Sequence, residues 1–532
     1  MSLTTASPQV QNSTARALAS WKCYLLFTIC SSFYLIPMMR FMLLNSDEGI
    51  FLSGAERIVN GQVFARDFFE GMGPGSFYWL AAFFKLFGDS FASARICLFV
   101  SLFGTGVSMY FLARRLSPRF SATACLVLMA ALFPFWPSHH VDSNFAALLS
   151  VVSMVLGSQN HKRIYFITAG VLAGLTTCIL QPKGVLLLCA LLGWTWLQRG
   201  RFPGFRPSAL IAAGYSAAIF FTLLFFWSRH ALRSLVYANL IFPFKQYGAI
   251  NHVNYGMGIT NSWREFVSIG DHSHLSVALA SVLIMPYVFV AALPLLSVIL
   301  GLTYLRKPLA PEVSLYAVAG VAIWLGEYQR RDIPHLVSGS PLLLILCIYL
   351  LAEARNRVVR IMARTIEFSA LCLALFNLLI VTVVAHPFQT RVGVINTLSP
   401  TANVSFLMSH VPAGEEIFVY PYKSDYYFVS GTKNPTHYSF LLYNNNLKSQ
   451  FQDVIATLER RKIKYVVWDT TFITGIGSTA FPGMRPTNPS QYIFEPYLQC
   501  HYRAVQKDHG EWVMVRKSDS EIFANQCSAM PM

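Results

Sequence analysis

Long windows of apolar residues without a single charge recur along this chain, and they decide what it can fold into. They lie at about 23–39, 96–113, 120–138, 143–159, 164–182, 184–198, 207–228, 275–305, 313–326, 336–352 and 368–385. A helix crossing a bilayer needs roughly 17–25 mostly apolar residues. Within hydrocarbon the backbone must satisfy its own hydrogen bonds, which favours helices. The expected architecture is an α-helical polytopic membrane protein with about eleven transmembrane helices. The windows 184–198 and 313–326 are the short ones, so the count rests most on them. Composition agrees. Only 12% of the 532 residues are charged and 54% are hydrophobic, whereas soluble proteins carry about 25% charged residues. That excludes an ordinary cytosolic enzyme and a disordered or fibrous chain. The net charge of +16 would suggest nucleic acid in a soluble protein. Here the positions of the cations matter more than their sum, and no nucleic-acid partner is expected.

Those positions give an orientation. With the N-terminus inside, the inner loops are 114–119, 160–163, 199–206, 306–312 and 353–367, and they hold 14 Lys and Arg in 40 residues. The outer loops hold 11 in about 112 residues. Lys and Arg concentrate on the cytoplasmic side of membrane proteins. An odd number of spans then puts the C-terminus outside. The first twenty residues are polar and lack the apolar core of a cleavable signal. The expected location is the cytoplasmic (inner) membrane.

Two outer loops are long, 45–95 and 229–274. The first holds a helical pattern, Ala55-Glu56-Arg57-Ile58-Val59, then a turn, Gly71-Met72-Gly73-Pro74-Gly75. The stretch from Ser76 to Phe84 is apolar but too short to span, so it is expected in the interface. From residue 387 the composition turns polar. Ile417–Tyr420 and Lys464–Asp469 read as strands, Gln452–Arg461 as an amphipathic helix, and His501–Val505 with Trp512–Arg516 as a hairpin. The division is therefore 1–386, a transmembrane domain, and 387–532, a small extracytoplasmic α/β domain. Eight cysteines lie in apolar spans; Cys500 and Cys527 are the two in the tail and are candidates for one disulfide. No Cys/His spacing fits a zinc site.

Asp47-Glu48 follows the first span directly. Adjacent carboxylates at a membrane boundary are costly unless hydrated or used. Other polar residues lie at outer helix ends: His139, His140 and Asp142; Lys183 in Gln181-Pro182-Lys183-Gly184; and Glu327, Arg330, Arg331, Asp332 and His335. Lys183 between apolar spans needs a carboxylate or phosphate partner, or else snorkels to headgroups. Arg330-Arg331 with His335 suits a phosphate, or equally lipid headgroups. Lipid phosphates sit at this surface. Cations there can hold a departing phosphate, and a carboxylate can take a proton from an attacking hydroxyl. Those are the requirements for moving a sugar off a polyprenyl-phosphate carrier.

Several motifs carry a family resemblance. They are Asn45-Ser46-Asp47-Glu48-Gly49, Ala55-Glu56-Arg57-Ile58-Val59-Asn60-Gly61, Arg66-Asp67-Phe68, Pro74-Gly75-Ser76-Phe77-Tyr78, Phe87-Gly88-Asp89-Ser90 and Ala94-Arg95. Asp142, Lys183-Gly184 and the Arg331…His335…Pro341 run follow. In this order they resemble membrane glycosyltransferases of the GT-C type, especially bacterial relatives of the protein O-mannosyltransferase and aminoarabinose transferase group. The resemblance implies a GT-C bundle with interfacial helices in the first outer loop. It implies Asp47 as the acid/base residue, Glu48 beside it, and Asp142 as a second active-site carboxylate. Lys183, Arg331, His335 and Arg57 are the implied candidates for the donor phosphate. Aminoarabinose transferases carry a Glu-Lys-Pro-Pro-like segment in the first loop. Here it is Glu70-Gly71-Met72-Gly73-Pro74, without the Lys, which leaves the donor sugar open.

The expected function is a glycosyltransferase acting at the outer face. Its partners are a polyprenyl-phosphate-linked sugar, a lipid, glycan or protein acceptor, and membrane lipids. No cofactor is expected beyond that donor, with a divalent ion left open. Two alternatives remain at this point. A lipid-linked sugar flippase would call for ionisable or broken sites within spans. A polysaccharide polymerase or ligase would share the long outer loops without requiring Asp47-Glu48.

Overall fold

The computed structural model describes residues 8–44, 46–202, 204–247, 252–269, 272–304, 310–352, 354, 356–443, 445–472, 480–481 and 492–524. Each of the eleven apolar windows carries helix. The first nine helices are α1 (Pro8–Met38), α2 (Ser46–Val59), α3 (Gly75–Phe87), α4 (Phe91–Leu116), α5 (Ser121–Leu132), α6 (His139–Asn160), α7 (Arg163–Ile179), α8 (Gln181–Leu197) and α9 (Pro207–Ser228). Among the described residues, six helices are long and apolar enough to cross a membrane: α1, α4, α6, α9, His274–Tyr304 and Arg357–Leu379 with its π-helical extension to Val384. A seventh crossing arises if Ile333–Gly339 and Pro341–Ala352, bent by 74°, count as one span. Pro341 sits at that bend and removes a backbone donor.

Four of the eleven windows hold shorter helices. α5 has 12 residues, and α7, α8 and Pro311–Glu327 have 17 each. Seventeen residues reach about 26 Å at 1.5 Å per residue, just under the hydrocarbon thickness. α5 ends early because Phe133 turns extended before Pro134, as residues preceding proline do. By length and apolarity, then, six or seven helices qualify, fewer than the eleven the windows suggested.

The 45–95 loop folds into two short helices, α2 and α3. α3 has 13 residues, too few to span. Its buried face, Phe77, Leu80, Ala81 and Phe84, meets Phe51, Phe64 and Phe68 in a core of its own.

The tail opens with an antiparallel hairpin, β1 (His386–Thr390) and β2 (Gly393–Thr397). A four-stranded sheet follows, built from β3 (Phe418–Tyr420), β4 (Tyr465–Asp469), β5 (Tyr502–Asp508) and β6 (Glu511–Arg516) in the order β3-β4-β6-β5. β3 and β4 run parallel; β6 is antiparallel to both neighbours. The β5–β6 turn uses His509 and Gly510, both at positive φ, the backbone a two-residue hairpin requires.

Alternate strand residues face opposite ways, and both faces of this sheet are covered. Phe418, Val466, Trp468 and Met514 pack on Phe451, Val454 and Leu458 of the Lys448–Arg461 helix. Val419, Val467 and Val513 share a core with Phe51, Phe64 and Phe77 of the first loop. Burial on both sides explains the unbroken apolar run Tyr465-Val466-Val467-Trp468. Backbone bonds stitch the two together: Phe69 N donates to His437 O at 2.8 Å and Met42 N to Asn396 O at 2.9 Å. The eight cysteines assigned to apolar spans are free thiols. Cys500 is disulfide-bonded, while Cys527, its expected partner, lies outside the described residues.

Candidate active site

The carboxylate pair after the first span opens α2, where the helix dipole favours negative charge. Neighbouring positions on a helix point about 100° apart, and the two side chains part company. Glu48 is buried on Arg95 of α4, 2.7 Å away. Arg95 also donates to Phe41 O at 2.8 Å and lies over the Phe91 ring. Burial pushes the Glu48 carboxyl up to about 7 despite the pull of Arg95. Asp47 stays exposed and accepts a hydrogen bond from the Tyr422 hydroxyl at 2.6 Å.

Tyr422 belongs to the tail. Its ring lies among Phe440, Phe472 and Phe481, with centroids 5.1–5.4 Å apart. The tail reaches α2 closely because residue 49 is glycine. A Cβ there would fall 1.9 Å from Asp425 N.

One turn on from Asp47, Phe51 shares its face of α2 and lies 5.7 Å from the His139 ring. His139 and His140 start α6, capped by Ser138. This joins α2 to a second set of polar residues. Lys183, fully buried, places Nζ 2.5 Å from Glu327 Oε1. Ser143 Oγ and Asn144 Oδ1 accept from the same ammonium at 2.9 Å each. His140 Nδ1 stands 2.8 Å from Glu327 Oε2, and the His140 and His335 rings are 4.6 Å apart.

Gly326 permits this pairing, and Gly184 seats α8 against α7. Cβ atoms at Gly326 and Gly184 would fall 2.5 Å from Lys183 Cα and 2.2 Å from Thr177 N. Small residues let membrane helices approach, so the charges meet directly.

His335 is held by Asp332 through Nδ1, and Arg330 Nε pairs with the other Asp332 oxygen at 2.5 Å. Against the cost of burial, the contacts with His335 and Arg330 keep the Asp332 carboxyl well below its usual range. Arg330 lies over the Phe481 ring, 5.1 Å from its centroid. The same Phe481 touches Tyr422, so Asp47 and Arg330 flank one aromatic cluster. Arg331, part-exposed, lies over Tyr328 and contacts His252 at 3.4 Å. The 229–274 loop delivers His252: Gly256 N donates to Arg331 O and Ile333 N to Met257 O.

α6 has two working faces. His140, Ser143 and Asn144 turn to Lys183. Asp142, Phe145, Ala146 and Leu149 line an apolar groove of about 720 Å³ between α3, α6, α7 and α9. Asp142 is buried at that groove and accepts from Ser101 Oγ at 2.7 Å, which in turn accepts from Trp79 Nε1 at 3.1 Å.

The residues expected from sequence therefore divide. Asp47, Lys183, Arg331 and His335 gather at one end of the bundle, linked through Phe51, His139 and the Tyr422 cluster. Glu48 lies beneath Asp47 as an anchor, and Asp142 faces the groove. Arg57 is engaged elsewhere. It donates to Gln62, to Asp67 O and to Thr436 O, and stacks on Phe68. Sequence reasoning missed Tyr422, Ser143 and Asn144 altogether, and no local signal marked them. It saw Glu327 without pairing it to Lys183. The same cost argument applied to both: each is an ionisable residue at the end of an apolar helix.

No protein-family model matches the sequence, and no curated protein matches it. The fold does have solved counterparts. ArnT from Cupriavidus metallidurans bound to undecaprenyl phosphate superposes with a TM-score of 0.55 at 12% identity, covering 96% of this chain and 99% of that one. The apo state of the same protein gives 0.53 at 14% identity, covering 97% and 100%. Along nearly its whole length, the chain shares the fold of these two ArnT structures.

Proposed function

We propose that this protein is a glycosyltransferase that moves a sugar from a polyprenyl-phosphate carrier to an acceptor hydroxyl at the outer face of the cytoplasmic membrane. The observation that carries the reading is an exposed carboxylate, Asp47, at the same bundle end as a cation-rich network, in a chain whose fold matches a protein solved with undecaprenyl phosphate. In this reading the eleven apolar windows cross the bilayer, the 12-residue α5 being continued by the non-helical segment 133–138, with the N-terminus inside. The 387–532 tail is extracytoplasmic.

Asp47 takes the proton of the acceptor hydroxyl as its oxygen attacks the anomeric carbon. The bond from that carbon to the phosphate oxygen breaks, and the carrier leaves as polyprenyl phosphate. Arg331 offers a planar fork to the phosphate, Lys183 adds positive charge beside it, and His335 offers a ring nitrogen there. Glu48 holds α2 in place through Arg95. Asp142 orients a polar group at the mouth of the groove, whose apolar walls suit an isoprenoid chain. Arg57 ties the first loop to the tail and is left out of the phosphate set.

The test uses purified protein in nanodiscs with a panel of radiolabelled polyprenyl-phosphate sugars and a cell-envelope extract as acceptor. The proposal expects label to move to acceptor with one donor. It expects the double variant Arg331→Ala with His335→Ala to bind that donor more weakly. A protein that transfers and hydrolyses nothing, yet moves labelled lipid across vesicles, would be a flippase.

A further inference from the structure

We propose that His140, Glu327 and His335 form a binding site for a divalent transition metal of the zinc class. The three residues come from separate segments, the first turn of α6, the end of Pro311–Glu327, and the Ile333–Gly339 helix. One ligand atom from each lies within 4.8 Å of the others. Two imidazoles and one carboxylate are a donor set that suits zinc and its neighbours.

Three details separate this cluster from an ordinary ion-pair network. First, Asp332 occupies His335 Nδ1, which leaves Nε2 as the nitrogen free to ligate. A carboxylate behind a ligating histidine is the usual support of such sites. Second, His140 Nδ1 and Glu327 Oε2 approach to 2.8 Å, yet His140 Nδ1 has no aligned hydrogen bond. With the His140 proton on Nε2, both atoms would offer lone pairs toward one point. Third, the surroundings hold further orphans: among the described residues His139 Nδ1 and Asn144 Nδ2 are buried without hydrogen-bond partners, and the His139 ring lies 3.9 Å from that of His140. Buried orphans grouped in one place call for an ion or water.

Lys183 limits the arrangement and makes it specific. Its ammonium holds Glu327 Oε1 at 2.5 Å, so Glu327 offers the metal one oxygen, Oε2. The adjacent positive charge opposes a bare dication. Three protein ligands leave a fourth position open, and an anion there offsets the ammonium. That the anion is the carrier phosphate, with His335 acting on it through the ion, rests on the proposed function. The metal site itself does not.

The experiment is a cobalt(II) titration of the full-length, chelator-treated protein in nanodiscs. One equivalent is expected, with the visible bands of a nitrogen- and oxygen-ligated ion, displaced by zinc(II). His335→Ala or His140→Ala should weaken binding at least 10-fold, and Asp332→Asn about 10- to 100-fold. His410→Ala, in the tail, should leave it unchanged. Wild-type protein that takes up no stoichiometric cobalt or zinc overturns the site, whatever the folding of the variants. So does equal binding by the histidine variants. Metal binding that persists while no sugar is ever transferred would leave the site standing and strike the proposed function alone.

Discussion

Replacing Arg95 by methionine isolates what holds the start of α2. In the native protein Glu48 and Arg95 are both buried and 2.7 Å apart. Methionine keeps much of the packing and removes the charge. Burial has already pushed Glu48 up to about 7, with Arg95 pulling the other way, so without Arg95 the carboxyl titrates higher still. At pH 8 the variant must then bury an unpaired carboxylate or hold a proton against the solution. Breaking such a pair costs about 3–5 kcal/mol. At pH 5.5 Glu48 is protonated in both proteins. The loss then shrinks to the missing hydrogen bond to Phe41 O, about 1–2 kcal/mol. The stability gap between wild type and Arg95→Met should therefore widen as pH rises through 7. The double variant Glu48→Gln with Arg95→Met should recover most of the pH 8 loss. The assay is thermal unfolding in nanodiscs at the two pH values for all three proteins. Equal losses at both pH values, or a double variant no better than the single one, would refute the argument that a buried charge is what Arg95 compensates.

Other consequences follow from single distances. Gly326→Ala puts a methyl 2.5 Å from Lys183 Cα and should cost about 1–3 kcal/mol as overpacking. Gly193→Ala, with nothing within 4 Å, should be neutral or slightly stabilising; thermal unfolding compares them. Tyr422→Phe removes the hydrogen bond that aims Asp47. A bond to a charged group is worth about 1.5–3 kcal/mol, so kcat should fall about 10- to 100-fold with KM nearly constant. Glu70 is buried, and that burial pushes its carboxyl up to about 8 from 4.5 despite Ser439 and Arg57 beside it. The folded state thus holds a proton that the unfolded chain has released, and stability drops as pH rises from 4.5 to 8. Glu70→Gln should remove that slope, gaining a few kcal/mol at pH 8 and little at pH 4.5.

Much of this arrangement was legible in the chain. Apolar windows marked every bundle helix, because the lipid-facing and buried sides of such helices are both apolar. The tail strands Phe418–Tyr420 and Tyr465–Asp469 stood out for the same reason, being covered on both faces. The number of crossings was less legible, since 17 residues sit at the boundary between a tilted span and a buried helix. Asp47-Glu48 read as one pair, and only the helix starting at Ser46 reveals that one member is buried and the other exposed. Lys183 announced that it needed a partner but not that Glu327 is that partner, because pairing across helices depends on Gly326 letting them meet. Tyr422 was invisible: an aromatic residue in a polar tail has no sequence mark distinguishing a site from a core. Arg57 sits within the family-like motif, yet loop and tail backbone take its hydrogen bonds.

The central claim is that Asp47 activates an acceptor against a polyprenyl-phosphate sugar. Its most direct test compares wild type and Asp47→Asn for release of polyprenyl phosphate and labelled acceptor in single-turnover reactions with the donor found by the panel. Asparagine keeps the shape and the Tyr422 contact but cannot take a proton. Loss of a general base lowers rates about 10²- to 10⁴-fold, so transfer should fall by that order with donor affinity and thermal stability unchanged. Transfer by Asp47→Asn at the wild-type rate would contradict the account.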